Sequence, residues 1–218
     1  MAKPPKIITA ATFKGGSGKS SVVAALAAHW LLDGNNVAVI DADPQGTITG
    51  WHQPGGALAG LKVVAETSER VGKVAAELAR DYAPVLIDTA GFNNRTTIEA
   101  LAASDFALIP LRASPADVPV AVETFRLVEQ INATPERKRR PIVARLLLTM
   151  TTPGSVIARH VRGQLVEAGL PLLKAELGNR VIWAEAALSG DTPTSLDPDC
   201  TAAAEIAAVA TEIEKLRR

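Results

Sequence analysis

Cysteine occurs once in the 218 residues and histidine three times. A lone thiol forms no internal disulfide, which excludes a disulfide-stapled secreted scaffold, and it cannot supply a cysteine zinc cluster. His29, His52 and His160 have no companions at metal-ligand spacing. Net charge is also missing: 23 basic side chains balance 23 acidic ones. Any attraction to nucleic acid must therefore come from local patches. No window approaches the ~20 uncharged apolar residues of a membrane-spanning helix. The first apolar run is broken too early, by Lys14, to serve as a signal peptide. A cytoplasmic location is the expectation. What is present is a chain that is 47% hydrophobic, which excludes general disorder and suits a single domain over residues 1–218.

Short β-rich runs alternate with longer segments of helical period, the pattern of a parallel sheet with crossover helices. Strands are expected at 7–12, 37–40, 62–65, 84–87, 107–110 and 141–149. Helices are expected at 19–32, near 69–81, at 116–131 and 156–168, and at the C-terminal end. There, Ala202, Ile206, Val209, Ile213 and Leu216 recur at steps of four and three. The fold class that follows is α/β, with helices on both faces of a mostly parallel sheet.

The chemistry concentrates in Phe13-Lys14-Gly15-Gly16-Ser17-Gly18-Lys19-Ser20-Ser21, between the first strand and the first helix. A phosphate needs a concave ring of backbone N–H donors, and glycines let the chain wrap it closely. The helix that follows aims its positive end at the same anion. Lys19 is placed to reach β- and γ-phosphates, and the Ser20 hydroxyl to take a position on Mg²⁺. The standard G-x-x-x-x-G-K-[ST] pattern would begin with glycine at position 13, where this chain has Phe13. Two further strands end in carboxylates, at Asp41 and Asp43 and at Asp88. Parallel α/β sheets collect ligands at such strand ends, where carboxylates can hold Mg²⁺ or orient a water.

With these residues the chain resembles the ParA/MinD family of deviant Walker-A ATPases, a three-layer P-loop NTPase fold. The matching pieces are Lys14 to Ser20, Val39 to Gly46 and Leu86 to Gly91, with weaker likeness at Ile109 to Asp117 and Arg180 to Gly190. The form of Asp88-Thr89-Ala90-Gly91 and the short length look closest to the ParF-like partition proteins, so no N-terminal helix-turn-helix domain is expected. The resemblance implies a homodimer that sandwiches two ATP molecules with Mg²⁺. Lys14 would reach across to the partner's phosphates. A positive group supplied in trans is worth roughly 10³–10⁵ in rate in arginine-finger cases. By the same resemblance Asp43 would orient the attacking water, while Asp41 and Asp88 would sit around Mg²⁺. Thr149 and Met150 fall where relatives carry adenine-pocket residues.

The function implied is an ATP-dependent switch that binds nucleoid DNA without sequence preference and positions a plasmid, chromosome region or protein cargo through a small adaptor protein. Arg137, Lys138, Arg139 and Arg140 form the strongest basic run, with Arg159, Arg162, Arg217 and Arg218 in addition. That run reads equally as a solvated loop. A membrane-positioning role would need a terminal helix rich in Lys and Arg. This one carries Glu205, Glu212 and Glu214, so no membrane partner is expected. Cys200 alone gives a dimer two thiolates, short of the four an iron–sulfur cluster usually needs. A small-molecule ligase or kinase on the same fold is the remaining alternative.

Overall fold

A computed structural model describes residues 4–53, 55–56 and 58–216. Arg217 and Arg218 lie outside the described residues. Strands β1 (Ile7–Ala10), β2 (Ala38–Ala42), β4 (Val85–Thr89) and β5 (Phe106–Arg112) are buried almost throughout. Continuous apolar strands of this kind need helices on both faces. With β3 (Lys62–Ala65) and β6 (Val143–Thr149) they form a sheet ordered β3-β2-β4-β1-β5-β6, every pair parallel. The edge beyond β6 is covered in part by the chain near Leu172, whose neighbours Pro171, Leu173 and Leu177 exchange backbone hydrogen bonds with Leu146 and Leu148. That blunts an edge otherwise open to other strands.

Helix α1 (Lys19–Leu32) is buried nearly all round, with Val22, Val23, Leu26 and Trp30 among the core residues. The terminal helix α9 (Thr201–Lys215) lies over it and buries Ile206, Val209 and Ile213. The Trp30 indole donates to Glu214 at 2.9 Å. On the opposite face are α3 (Val71–Leu78), α4 (Arg95–Ala103) and α5 (Val118–Asn132). The remaining helices are α2 (Thr47–Trp51), α6 (Val156–Glu167), α7 (Val181–Ser189) and the short α8 (Pro193–Leu196).

Register positions the site. Asp41 of β2 pairs with Asp88 of β4, which pairs with Ala10 of β1. Both carboxylates therefore flank the point where β1 gives way to the glycine-rich loop. Sequence neighbours β1 and β2 are separated by β4, so the crevice opens at the carboxyl ends of the strands. Pro110, inside β5, lies beyond that strand's last pairing with β1 at Leu108. Its missing N–H therefore costs no ladder bond on that side.

Candidate functional site

The loop after β1 turns tightly enough to need left-handed backbone at Gly16 (φ 75°) and Gly18 (φ 84°), and Gly18 caps α1. A Cβ on Gly15 or Gly16 would meet nothing within 4 Å, so the ring of amides faces open space. A Cβ on Gly91 would instead lie 2.9 Å from the Gly15 nitrogen. The chain after Asp88 thus rests directly on the loop. Together these parts wall a cleft of about 550 Å³ that also takes in Lys19, Ser20, Asp43, Pro44, Gln45, Thr47, Trp51 and Phe92. Pro44 and Gln45 fall within the matching piece Val39 to Gly46, whereas Thr47, Trp51 and Phe92 carry no signal, because such side chains show no pattern that separates a cleft wall from an ordinary turn.

Lys19 is buried, and burial pulls its basicity down while Asp88 and Asp43 oppose that pull. Asp88 is fully buried, and neither carboxylate oxygen has a hydrogen-bond partner among the described residues. Burial raises its pKa to about 7, with Asp41 and Asp43 adding to the rise; the nearby Ser20 hydroxyl and Lys19 draw it part of the way back. An orphaned carboxylate beside a hydroxyl is the oxygen-rich donor set that suits Mg²⁺ and its waters. Asp43 is half-buried at the cleft wall, and its Oδ1 accepts the Gln45 amide at 2.9 Å, which leaves Oδ2 without a bond of its own among the described residues.

Three of the expected site residues also take part in bonds within the chain. Asp41 is read from sequence as sitting around Mg²⁺, and its Oδ2 accepts both the amide and the hydroxyl of Thr49, at 2.8 and 2.9 Å. Its first task is to clamp α2 and so hold the loop that carries Asp43. Thr149 is read as an adenine-pocket residue, and its buried hydroxyl donates to the Ser17 carbonyl at 2.9 Å. It is a strut beneath the phosphate loop, while Met150 (φ 52°) lies at the surface. Thr149 and Met150 together wall a narrow slot of about 90 Å³ with Gly18, Ser21, Val22, Leu177, Gly178, Asn179 and Trp183. The Ser17 hydroxyl is buried and unpartnered among the described residues, away from the cleft lining. Its contribution is its backbone.

Lys14 is held within its own chain. Its ammonium lies 2.5 Å from Asp117 Oδ1, and Arg112 grips the same carboxylate at 2.9 and 3.2 Å. Burial alone would raise the pKa of Asp117, but the bonds from Arg112 and Lys14 hold it below the usual carboxylate range. Asp117 is legible in the sequence only as part of the Ile109 to Asp117 likeness.

The basic residues do not form one surface. Arg137 donates to the Ser104 carbonyl, Arg140 pairs with Asp105 at 2.8 Å, and Arg162 pairs with Glu176 at 2.9 Å. These arginines brace the fold. Lys138, Arg139 and Arg159 are exposed, and Arg159 donates to the Gly154 carbonyl. Arg137 to Arg140 lead into the amino-terminal end of β6, whereas Arg159 follows its carboxyl end on α6. The two groups thus stand at opposite ends of the sheet.

Residues 8–193 match the family model of the CobQ/CobB/MinD/ParA nucleotide binding domain. Protein ParA of Rhizobium radiobacter is 25% identical over 182 residues, covering 81% of this chain and 80% of that protein. The maintenance of carboxysome distribution protein A of Halothiobacillus neapolitanus is 28% identical over 189 residues, 84% of each. The septum site-determining protein MinD of Pyrococcus horikoshii, solved with Mg-ADP, superposes with a TM-score of 0.74 at 17% identity, over 97% of this chain and 96% of that one.

Proposed function

The chain belongs to the CobQ/CobB/MinD/ParA nucleotide-binding family of ATPases, and on that footing we propose that it is an ATP-driven positioning switch. In this reading ATP and Mg²⁺ join two copies of the chain. The joined form holds DNA without sequence preference, and hydrolysis, stimulated by a small adaptor protein, releases it. Relatives of this family serve partition and positioning.

What carries the reading is the register that sets Asp88 and the Asp41–Asp43 turn against the loop holding Lys14 and Lys19. The amides of residues 15–20 would cradle the triphosphate, with Lys19 neutralising its outer oxygens. Ser20 and Asp88, with Asp41 behind them, would hold Mg²⁺, which would neutralise phosphate charge. Asp43 would orient the attacking water. Lys14, exchanged from Asp117 to the neighbouring copy's phosphates, would complete the charge needed in the transition state. The slot lined by Thr149, Met150 and Trp183 would receive the base.

A membrane-docking reading finds no support in α9. Glu205 is bound to Arg180, Glu212 to the amides of Lys174 and Ala175, and Glu214 to Trp30. The helix spends its apolar face on α1, and no helix among the described residues is long and apolar enough to cross a membrane. The test is ATP turnover and DNA retention together. The protein should retain random-sequence DNA with ATP, and Asp43→Ala should retain it longer while turnover falls by at least about a hundredfold, in line with loss of a water-positioning group. Normal turnover in Asp43→Ala rejects its role. Turnover that responds to a small substrate and never to DNA rejects the switch.

A further inference from the structure

The DNA-binding reading above leaves open where the polyanion sits, and on that reading the following rests. The end of the sheet opposite the phosphate loop carries a concentration of positive charge that the protein neutralises only in part. Asp105, just before β5, accepts the Ile7 amide at 3.1 Å and pairs with Arg140 at 2.8 Å. Arg137 spends part of its guanidinium on the Ser104 carbonyl, but its Nε is buried with no acceptor among the described residues. Burial and the neighbouring Arg140 both depress the basicity of Arg137, while Asp105 partly supports it. Lys6, Lys138 and Arg139 are exposed and have no carboxylate partner among the described residues. Glu136, exposed on the same loop, is the other acid nearby in sequence. A cavity of about 290 Å³ opens between Lys6, Asp105, Arg139 and Arg140.

We infer that this end of the molecule is a phosphate-backbone site for nucleic acid, with Lys6, Lys138 and Arg139 as its contacts and Arg137 and Arg140 as its braces. The arrangement has the two parts such a site requires. Rigid arginines fix the loop through Ser104 and Asp105, and unpaired ammonium and guanidinium heads project beside them into solvent. A lipid surface is the less suitable occupant, because interfacial binding needs bulky apolar anchors beside the basic residues. None of the exposed large apolar side chains among the described residues lines this cavity.

The position has a consequence for control. Each copy carries the whole site at the end of the sheet away from Lys14, Asp43 and Asp88, so nucleotide does not have to build it. ATP acts by joining two sites and raising avidity. The nucleotide-free protein accordingly keeps weak DNA binding with a salt slope about half that of the ATP-loaded form, because half as many counterions are released.

The experiment titrates a short random-sequence DNA duplex with the ATP-loaded protein, the nucleotide-free protein and the triple variant Lys6→Glu, Lys138→Glu, Arg139→Glu, across a series of salt concentrations. The triple variant should bind at least about tenfold more weakly near 0.1 M salt. Its slope of log affinity against log salt should be shallower by about one for each phosphate it no longer neutralises. The charge-keeping variant Lys6→Arg, Lys138→Arg, Arg139→Lys should bind like the parent, which separates an effect of charge from a disturbed fold. If the parent binds and the charge-reversed variant binds equally well, this site is wrong and the DNA-binding reading stands. If the parent fails to bind with ATP at low salt, that reading falls and takes the site with it. Recruitment of the parent to vesicles of anionic lipid, without DNA binding, overturns the choice of nucleic acid. Equal salt slopes with and without ATP overturn the avidity argument.

Discussion

Asp88 is the side chain whose surroundings are least complete. A carboxylate with neither oxygen bonded is held at a pKa of about 7, against an ordinary 3.8. The sign follows from linkage: the folded state keeps this proton over a range where the unfolded chain has released it. In the nucleotide-free protein stability should therefore fall as pH rises from about 4 to about 7 and level off above that. Asp88→Asn removes the dependence. Urea unfolding of both proteins should give a difference in favour of the variant that grows by up to about 1.4 kcal/mol per pH unit across that window. A difference flat in pH contradicts the assignment. Lys14 is the second informative residue. Its ammonium is partly solvent-exposed, while the buried Asp117 is also held by Arg112, so Lys14 can exchange to a phosphate without stranding the carboxylate. Asp117→Asn should release Lys14 and tighten ATP-dependent association by about two- to fivefold, read by sedimentation; weaker association would show that Asp117 itself belongs to the joined form.

At the scale of elements, the β2–α2 connection depends on one buried carboxylate. Asp41 joins the strand end to Thr49, the middle residue of a five-residue helix. Thr49→Val keeps the shape and the amide bond but deletes the hydroxyl donor to a charged acceptor, a loss of about 1.5–3 kcal/mol. Asp43 rides on this connection, so turnover should fall while the Michaelis constant for ATP stays near its parent value; the reverse pattern would mean that the clamp serves binding alone. Elements of strong period are legible in the sequence: α1 matches its expected bounds at 19–32, β3 matches at 62–65, and the core strands fall within two residues or so of theirs. Helix α4 is not among the expected helices, although Asn94 caps it by accepting the Thr97 amide at 2.7 Å. Its buried face includes Thr96 and Thr97, and threonine hides an apolar stripe from hydrophobic periodicity. The phosphate loop is legible because only a few residue types permit that turn. The roles of Asp117 and Thr149 are not, because they depend on bonds that span more than a hundred residues of sequence.

At the scale of the molecule, the nucleotide end and the proposed DNA end lie at opposite ends of the sheet. The acidic strand ends and the phosphate loop share one end of the sheet, and Lys6 with Lys138 to Arg140 occupies the other. With no net charge to attract DNA at a distance, binding should depend steeply on salt and on how many copies engage at once. Joining of copies is thus the step on which the proposed function turns, and it couples the residue-scale exchange at Lys14 to everything the molecule does with DNA. Sedimentation of the Asp43→Ala protein with Mg²⁺ and ATP, alongside the same protein carrying Lys14→Gln, measures that step without interference from hydrolysis. The first should sediment as a dimer only when ATP is present, and the second should bind ATP yet remain a single chain. A single chain in both, or a dimer in both, would contradict the account.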